Sequence, residues 1–235
     1  MKKIVAVNAS PRKNWNTDIL VKEAAAGAQN AGAETEVIEL YGLEKFNGCM
    51  SCFACKQAPN QGKCVFKDGL YDVLQKIRTA DGVILGSPNY LGDFSAGFRA
   101  LFERLVFQHI TYRLEKMNDN DRLIPTLLIV TSNSPAESYE GDGDNAPMLA
   151  RYKSSLSNFV GKTRTLVCGD TLQVKDYSRF DWTLFDPAQK ERRHEDVFPS
   201  ERKKAYALGE QMVAGNGKRF FYRDTDRVCC QFLLS

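Results

Sequence analysis

Short apolar runs alternate along this chain with longer segments whose apolar residues recur every three or four positions. The runs predict strands and the recurring pattern predicts helices. Ile4–Asn8 reads as a first strand and Asn16–Ala31 as a helix rich in small residues, closed by Gly32. Thr35–Leu40 is a second strand. After a polar, cysteine-bearing stretch, Asp68 is placed to cap a helix whose apolar face is Leu70, Val73, Leu74, Ile77 and Ala80. Val83–Gly86 is a third strand. Ser95 is a plausible cap for a helix striped by Phe98, Leu101, Phe102, Leu105 and Val106. Thr126–Thr131 is a nearly continuous apolar strand, the pattern of one covered on both faces. Pro147–Val160 predicts another helix and Thr163–Cys168 a fifth strand. A last helix opens at Ser200, carries Ala205, Leu208 and Met212 on one face, and has Gly215 past its end.

Strands that alternate with helices imply a parallel sheet with right-handed crossovers. Five strands fit an α/β, flavodoxin-like three-layer sandwich with a five-stranded parallel sheet of order 2-1-3-4-5. In that topology ligands bind at the carboxyl ends of the strands, where the order reverses. The loops after strands one, three and four are therefore expected to build the site. Residues 1–235 read as a single domain with a long connection at 170–200 and a tail at 216–235. The connection, with Phe180, Trp182, Phe185 and the charged run Lys190–Arg193, is open to two readings. It is a solvated surface loop, or it is a lid or subunit contact.

Composition narrows the classes. The formal net charge of +3 is too small to argue for nucleic acid, and there is no basic stripe or RNA-binding signature. No stretch is apolar for long enough to span a membrane. The start of the chain reads as a buried strand rather than a signal peptide. Seven cysteines, an odd number, include four within one short window. Without a signal peptide this favours a cytoplasmic protein using thiols, a metal site or redox chemistry over a disulfide framework. Cys168 is expected to face the core, and Cys229 and Cys230 lie near the tail without a pattern. His109 and His194 have no triad-like context, which argues against a hydrolase. The acidic stretch Glu140–Asn145 lacks the closing glutamate of a calcium loop and reads as solvated.

The first strand runs into Asn8-Ala9-Ser10-Pro11-Arg12-Lys13-Asn14-Trp15-Asn16-Thr17. Hydroxyl and amide side chains there precede a helix N-terminus, whose free N–H groups and partial positive charge suit a phosphate. Arg12 adds a charge-assisted contact. The same residues suit an ordinary capping turn, and this loop alone does not separate the two. Neither a dinucleotide fingerprint nor a Walker motif is present. The third strand ends in Ser87-Pro88-Asn89-Tyr90-Leu91-Gly92. With Ala9-Ser10-Pro11-Arg12 and Asn16-Thr17, this second motif resembles the NADPH-dependent FMN reductase superfamily over about residues 1–168. The resemblance implies an FMN phosphate on Ser10, Arg12, Asn16 and Thr17. It also implies an isoalloxazine ring lined by Ser87, Pro88, Asn89, Tyr90, Leu91 and Gly92, with Ser132 or Asn133 completing the site. Tyr90 is either a wall for the ring or a core residue.

Cys49, Cys52 and Cys55 form C-x2-C-x2-C, and Cys64 follows after eight residues. Three thiolates so spaced can wrap one corner of a four-iron cluster and a distal fourth can complete it. Structural zinc more often uses two separated knuckles. Buried thiols or a redox disulfide remain open. The pattern resembles the iron–sulfur flavoprotein branch of the same superfamily, although that branch usually has a shorter last spacer.

The function this implies is an FMN-dependent oxidoreductase. It would use NAD(P)H to reduce a quinone, nitro compound, flavin or similar small-molecule acceptor, with the chemistry on FMN and no catalytic side chain named. The alternative is an electron carrier that exchanges electrons with a ferredoxin-like partner. A homodimer or homotetramer is expected.

Overall fold

A computed structural model describes residues 1–214. Gly215 and the 216–235 tail, with Cys229 and Cys230, lie outside the described residues. The strands are β1 (Lys3–Asn8), β2 (Glu34–Glu39), β3 (Gly82–Tyr90), β4 (Asp93–Phe94), β5 (Thr126–Thr131) and β6 (Thr163–Cys168). Five of them form a parallel sheet in the order β2-β1-β3-β5-β6, and β4 pairs antiparallel with the end of β3. Counting only the parallel strands, this is the expected 2-1-3-4-5.

Alternation along the strands assigns the two faces. Val5, Val7, Val83, Leu85, Leu128 and Val130 point to one core. There they meet α2 (Tyr71–Thr79), α3 (Ala96–Phe107) and α4 (Ala146–Phe159). Ile4, Ala6, Ile84, Leu127, Ile129 and Cys168 point to the other, against α1 (Asn16–Asn30) and α6 (Phe198–Ala214). Leu20, Leu74 and Leu101 are almost wholly buried, and each such side chain contributes about 1.5–3 kcal/mol. β2, at the sheet edge, carries Glu34, Glu36 and Glu39, charges that discourage further strand pairing.

α1 and α6 approach backbone to backbone. A Cβ at Gly27 would lie 2.0 Å from the Tyr206 carbonyl oxygen, and one at Gly209 would lie 1.9 Å from that of Ala24. Only glycine permits this contact at either position.

Three local expectations are corrected. First, β3 does not stop at Gly86. Its ladder with β5 continues to Pro88↔Thr131, and Asn89 and Tyr90 pair with Phe94 and Asp93. Ser87 and Pro88 are therefore sheet residues rather than loop. Second, the 170–200 connection contains a helix, α5 (Pro187–Asp196), capped by Asp186, whose side chain accepts from the Ala188 N–H at 2.9 Å. Third, the last helix begins at Phe198, two residues before Ser200. Among the described residues no helix is long and apolar enough to cross a membrane.

The β3–β4 hairpin turns on Leu91 and Gly92, with φ of 56° and 80°. Both central residues of such a turn need positive φ. Glycine accepts this freely, but leucine does so at a cost of about 1–2 kcal/mol. Leu91 is fully exposed, so no packing offsets that cost. Leu91→Asn is expected to stabilise the protein by about 0.5–1 kcal/mol, read from the urea midpoint; no gain would show the turn to be relaxed as it stands.

Candidate functional site

The first loop is built on Asn8. Its Oδ1 accepts from the Ser10 N–H at 3.0 Å, and its amide donates to Asp18 Oδ1 at 3.2 Å and to Glu39 Oε2 at 2.6 Å. Asp18, fully buried, accepts from the Asn14 N–H and from Lys22 Nζ at 2.7 Å. Burial, with Asp18 nearby, pushes the Glu39 carboxyl above its ordinary pKa despite the Asn8 hydrogen bond. This lattice fixes the turn, whose Asn14 has a φ of 54°, ahead of the first-turn N–H groups of α1, which have no intrahelical acceptors.

The predicted phosphate residues divide. Ser10 is buried, and its Oγ accepts from the Arg12 N–H at 3.2 Å. The Arg12 guanidinium lies 4.9 Å above the Trp15 ring and donates to the Gln173 carbonyl. Asn16 donates to the Leu172 carbonyl at 2.7 Å, as does Trp15 Nε1 at 3.2 Å. The Thr17 hydroxyl is buried against that of Thr131, 2.7 Å away, and ties α1 to β5. The chain after β6 thus folds across the first loop through Leu172 and Gln173.

In the second motif, Ser87 and Asn89 serve as struts. Ser87 Oγ accepts from the Ser95 N–H at 3.1 Å and donates to the Pro88 carbonyl at 2.9 Å. Ser95, the N-cap of α3, donates to the Ala9 carbonyl at 2.7 Å and binds the first loop to the second. The Asn89 amide donates to Tyr139 Oη and to Asn145 Oδ1, and its Oδ1 accepts from the Gly92 N–H at 3.0 Å. Pro88 is buried. Tyr90, Leu91 and Gly92 are exposed. Tyr90 is 43% exposed, so it is no core residue. Burial raises its phenol pKa, and Arg12 partly offsets that.

Ser132 is buried, and its Oγ accepts from the Ser134 N–H. Asn133 accepts from Lys190 Nζ at 2.7 Å; Lys190 is itself buried and paired with Asp170. Asn133, Gln173, Trp182 and Phe185 line an open cleft beside the first loop. Lys190, Asp170, Leu172 and Gln173 were not found from sequence, because they lie in or beside a connection that reads as loop.

The four cysteines form a second centre. Cys49, Cys52, Cys55 and Cys64 line one cavity with Phe66, Arg104, Phe107 and Gln108. Ser51 and Phe53 take positive φ, 50° and 55°, and this winding turns the three close thiols to one side. α3 supplies the floor. Glu103 accepts from the Cys49 N–H at 3.1 Å and Gln108 from the Cys64 N–H at 3.0 Å. Between them Arg104, 1% exposed, pairs through Nη1 with both oxygens of Asp68, at 2.6 and 2.7 Å. Burial raises the Cys55 thiol pKa, partly offset by Lys56. Next to this floor, burial pushes His109 down to about 4, so it is neutral near pH 7. The five cysteines of the described residues are free thiols, and no group of three ligating side chains there converges on one ion.

The NADPH-dependent FMN reductase family model matches residues 2–134. An iron-sulfur flavoprotein of Methanocaldococcus jannaschii is 33% identical over 162 residues, covering 60% of this chain and 82% of that one. Another, of Methanosarcina thermophila, is 35% identical over 104 residues, and this chain spans about half of its length: 44% of this chain and 52% of that one. By structure, the NAD(P)H:quinone oxidoreductase of Methanothermobacter marburgensis matches with a TM-score of 0.62 at 14% identity, covering 90% of this chain and 98% of that one. The azoreductase of Bacillus anthracis str. Sterne matches at 0.63 and 15%, covering 89% and 99%. At such identities the structural likeness speaks for the fold. The sequence match spans more than half the chain and takes in both loop motifs and the cysteine loop, and the chain belongs to the NADPH-dependent FMN reductase family.

Proposed function

We propose that this NAD(P)H-dependent oxidoreductase holds FMN at the loops after β1 and β3 and one four-iron cluster on Cys49, Cys52, Cys55 and Cys64. It would deliver electrons to a quinone, nitro compound, flavin or similar small acceptor. When bound, FMN accepts a hydride and releases electrons singly, and the cluster exchanges single electrons. The protein's part is to bind and orient. The first turn of α1 and Arg12 hold the phosphate, and Tyr90 walls the ring beside the Leu91–Gly92 turn. The space around Gly92, where an added Cβ would meet nothing within 4 Å, suits a flat ligand.

The observation that carries the cluster is the shared cavity of the four thiols. A four-iron cluster takes one thiolate on each iron, so its ligands surround a volume instead of converging on a point. Anaerobic reconstitution with iron and sulfide is expected to give about four of each per chain beside FMN. Protein that holds FMN without stoichiometric iron and sulfide would leave a simple FMN reductase.

The exposed rim of Met50, Cys52 and Phe53 favours a second reading, an electron carrier that meets a ferredoxin-like partner there. Sustained NAD(P)H oxidation by the pure protein argues for the enzyme, and its absence for the carrier. Phe180, Trp182 and Leu184 stand exposed in the 170–200 connection and support a homo-oligomer; light scattering that returns one chain's mass would remove that proposal.

A further inference from the structure

Arg104 occupies an unusual place. It lies in the last turn of α3, its side chain is wholly buried, and it forms part of the cysteine cavity wall. Four acceptors serve its terminal nitrogens. Nη1 meets both Asp68 oxygens and, at 3.4 Å, the Asn47 carbonyl; Nη2 donates to the Phe66 carbonyl at 2.7 Å. The Phe66 ring lies 5.4 Å from the guanidinium carbon. Nε, by contrast, is buried with no hydrogen-bond partner, one of two such side-chain atoms among the described residues. A buried donor left without an acceptor costs about 1–3 kcal/mol, and more when charged. The neighbouring polar residues, Glu103 on α3 and Gln108 at its C-cap, are already committed to the Cys49 N–H and the Cys64 N–H. Of these three side chains, only Arg104 keeps a buried donor free.

Resting on the cluster reading above, we propose that Arg104 is a positioning residue for the group on the four cysteines, its Nε–H donating to a sulfur of that group or of Cys64. A hydrogen bond to sulfur beside a fixed positive charge stabilises the more negative, reduced cluster and so raises its potential. Asp68 holds the guanidinium plane and decides where Nε points. Cluster potential would then be set by a residue on α3 and its partner before α2, both outside the cysteine motif.

The test uses the reconstituted, FMN-loaded full chain. In protein labelled with 15N-arginine, pulsed electron paramagnetic resonance of the reduced cluster is expected to show a nitrogen coupling that vanishes in Arg104→Lys. That variant keeps a charge for Asp68 but has no Nε–H. Its cluster potential is expected to fall by at least the equivalent of a tenfold change in the reduction equilibrium, about 59 mV for one electron. An unlabelled-like spectrum, or an unchanged potential in a fully loaded variant, overturns the proposal. If the lysine variant takes up no cluster, the coupling in the parent protein decides. Failure of the cluster reading is recognised beforehand, by iron and sulfide content, and would take this inference with it.

Discussion

Asp68→Ala is expected to unfold about 3–5 kcal/mol more easily than the parent protein. Asp68 takes Nη1 of Arg104 on both oxygens and also accepts from the N–H groups of Asn47 and Leu70, each at 3.0 Å. Removing it strands a positive charge in a side chain with no exposure. The ion pair itself is a weaker asset than this figure suggests, since two buried charges cost heavily to desolvate. The double variant Asp68→Ala/Arg104→Met should therefore recover most of the loss. Burial alone would raise the Asp68 carboxyl pKa, but Arg104 and the two N–H groups outweigh it and hold the value below that of a free carboxyl. The sign follows: the stabilisation is complete above the unfolded carboxyl pKa of about 4 and is lost as pH falls through the lower folded value. Urea unfolding at pH 7 and at steps down to pH 3 measures both effects. A loss under about 1 kcal/mol at pH 7 would mean that Arg104 finds water when its partner goes.

Arg12→Ala is expected to weaken FMN by about 1.5–3 kcal/mol, roughly 10- to 150-fold, while riboflavin binding changes little. The difference isolates the phosphate, which only FMN carries. Arg12 rests on Trp15 and on the Gln173 carbonyl, so little of its freedom is left to lose when the anion arrives. Fluorescence titration with both ligands provides the comparison. Equal losses would move the phosphate elsewhere. Arg12 is exposed, so the melting temperature should barely move.

The sheet was legible because its strands are short apolar runs and its helices repeat every three to four residues. The Ser95 cap was legible too, since a serine ahead of an apolar stripe has few other uses; Phe98 N–H does bond its Oγ. Ser87 and Asn89 hid the true end of β3 for a physical reason. Ser, Pro and Asn read as loop, yet β5 runs alongside far enough to extend the ladder, and both side chains turn to bracing. α5 was missed because Pro187–Asp196 is almost entirely polar and buries only Lys190; the Asp186-Pro187 start was the available signal. Arg104 was missed because an arginine on an amphipathic helix reads as solvent-facing. Its partner lies 36 residues earlier, and nothing local announces the pairing. The four cysteines were visible by spacing alone, but their shared cavity depends on α3.

The recognisable family segment ends at residue 134, yet it is not a removable unit. The helix that opens at the first loop, α1, shares its face with α6, which lies some 64 residues beyond that boundary, and the two glycines let their backbones touch. Cutting the chain after Cys168 would leave Leu20, Ala24 and Ala28 without the covering supplied by Phe198, Ala205 and Met212. α6 is thus a clasp on α1, and its Phe198, Ala205 and Met212 are held to shapes that fit that helix.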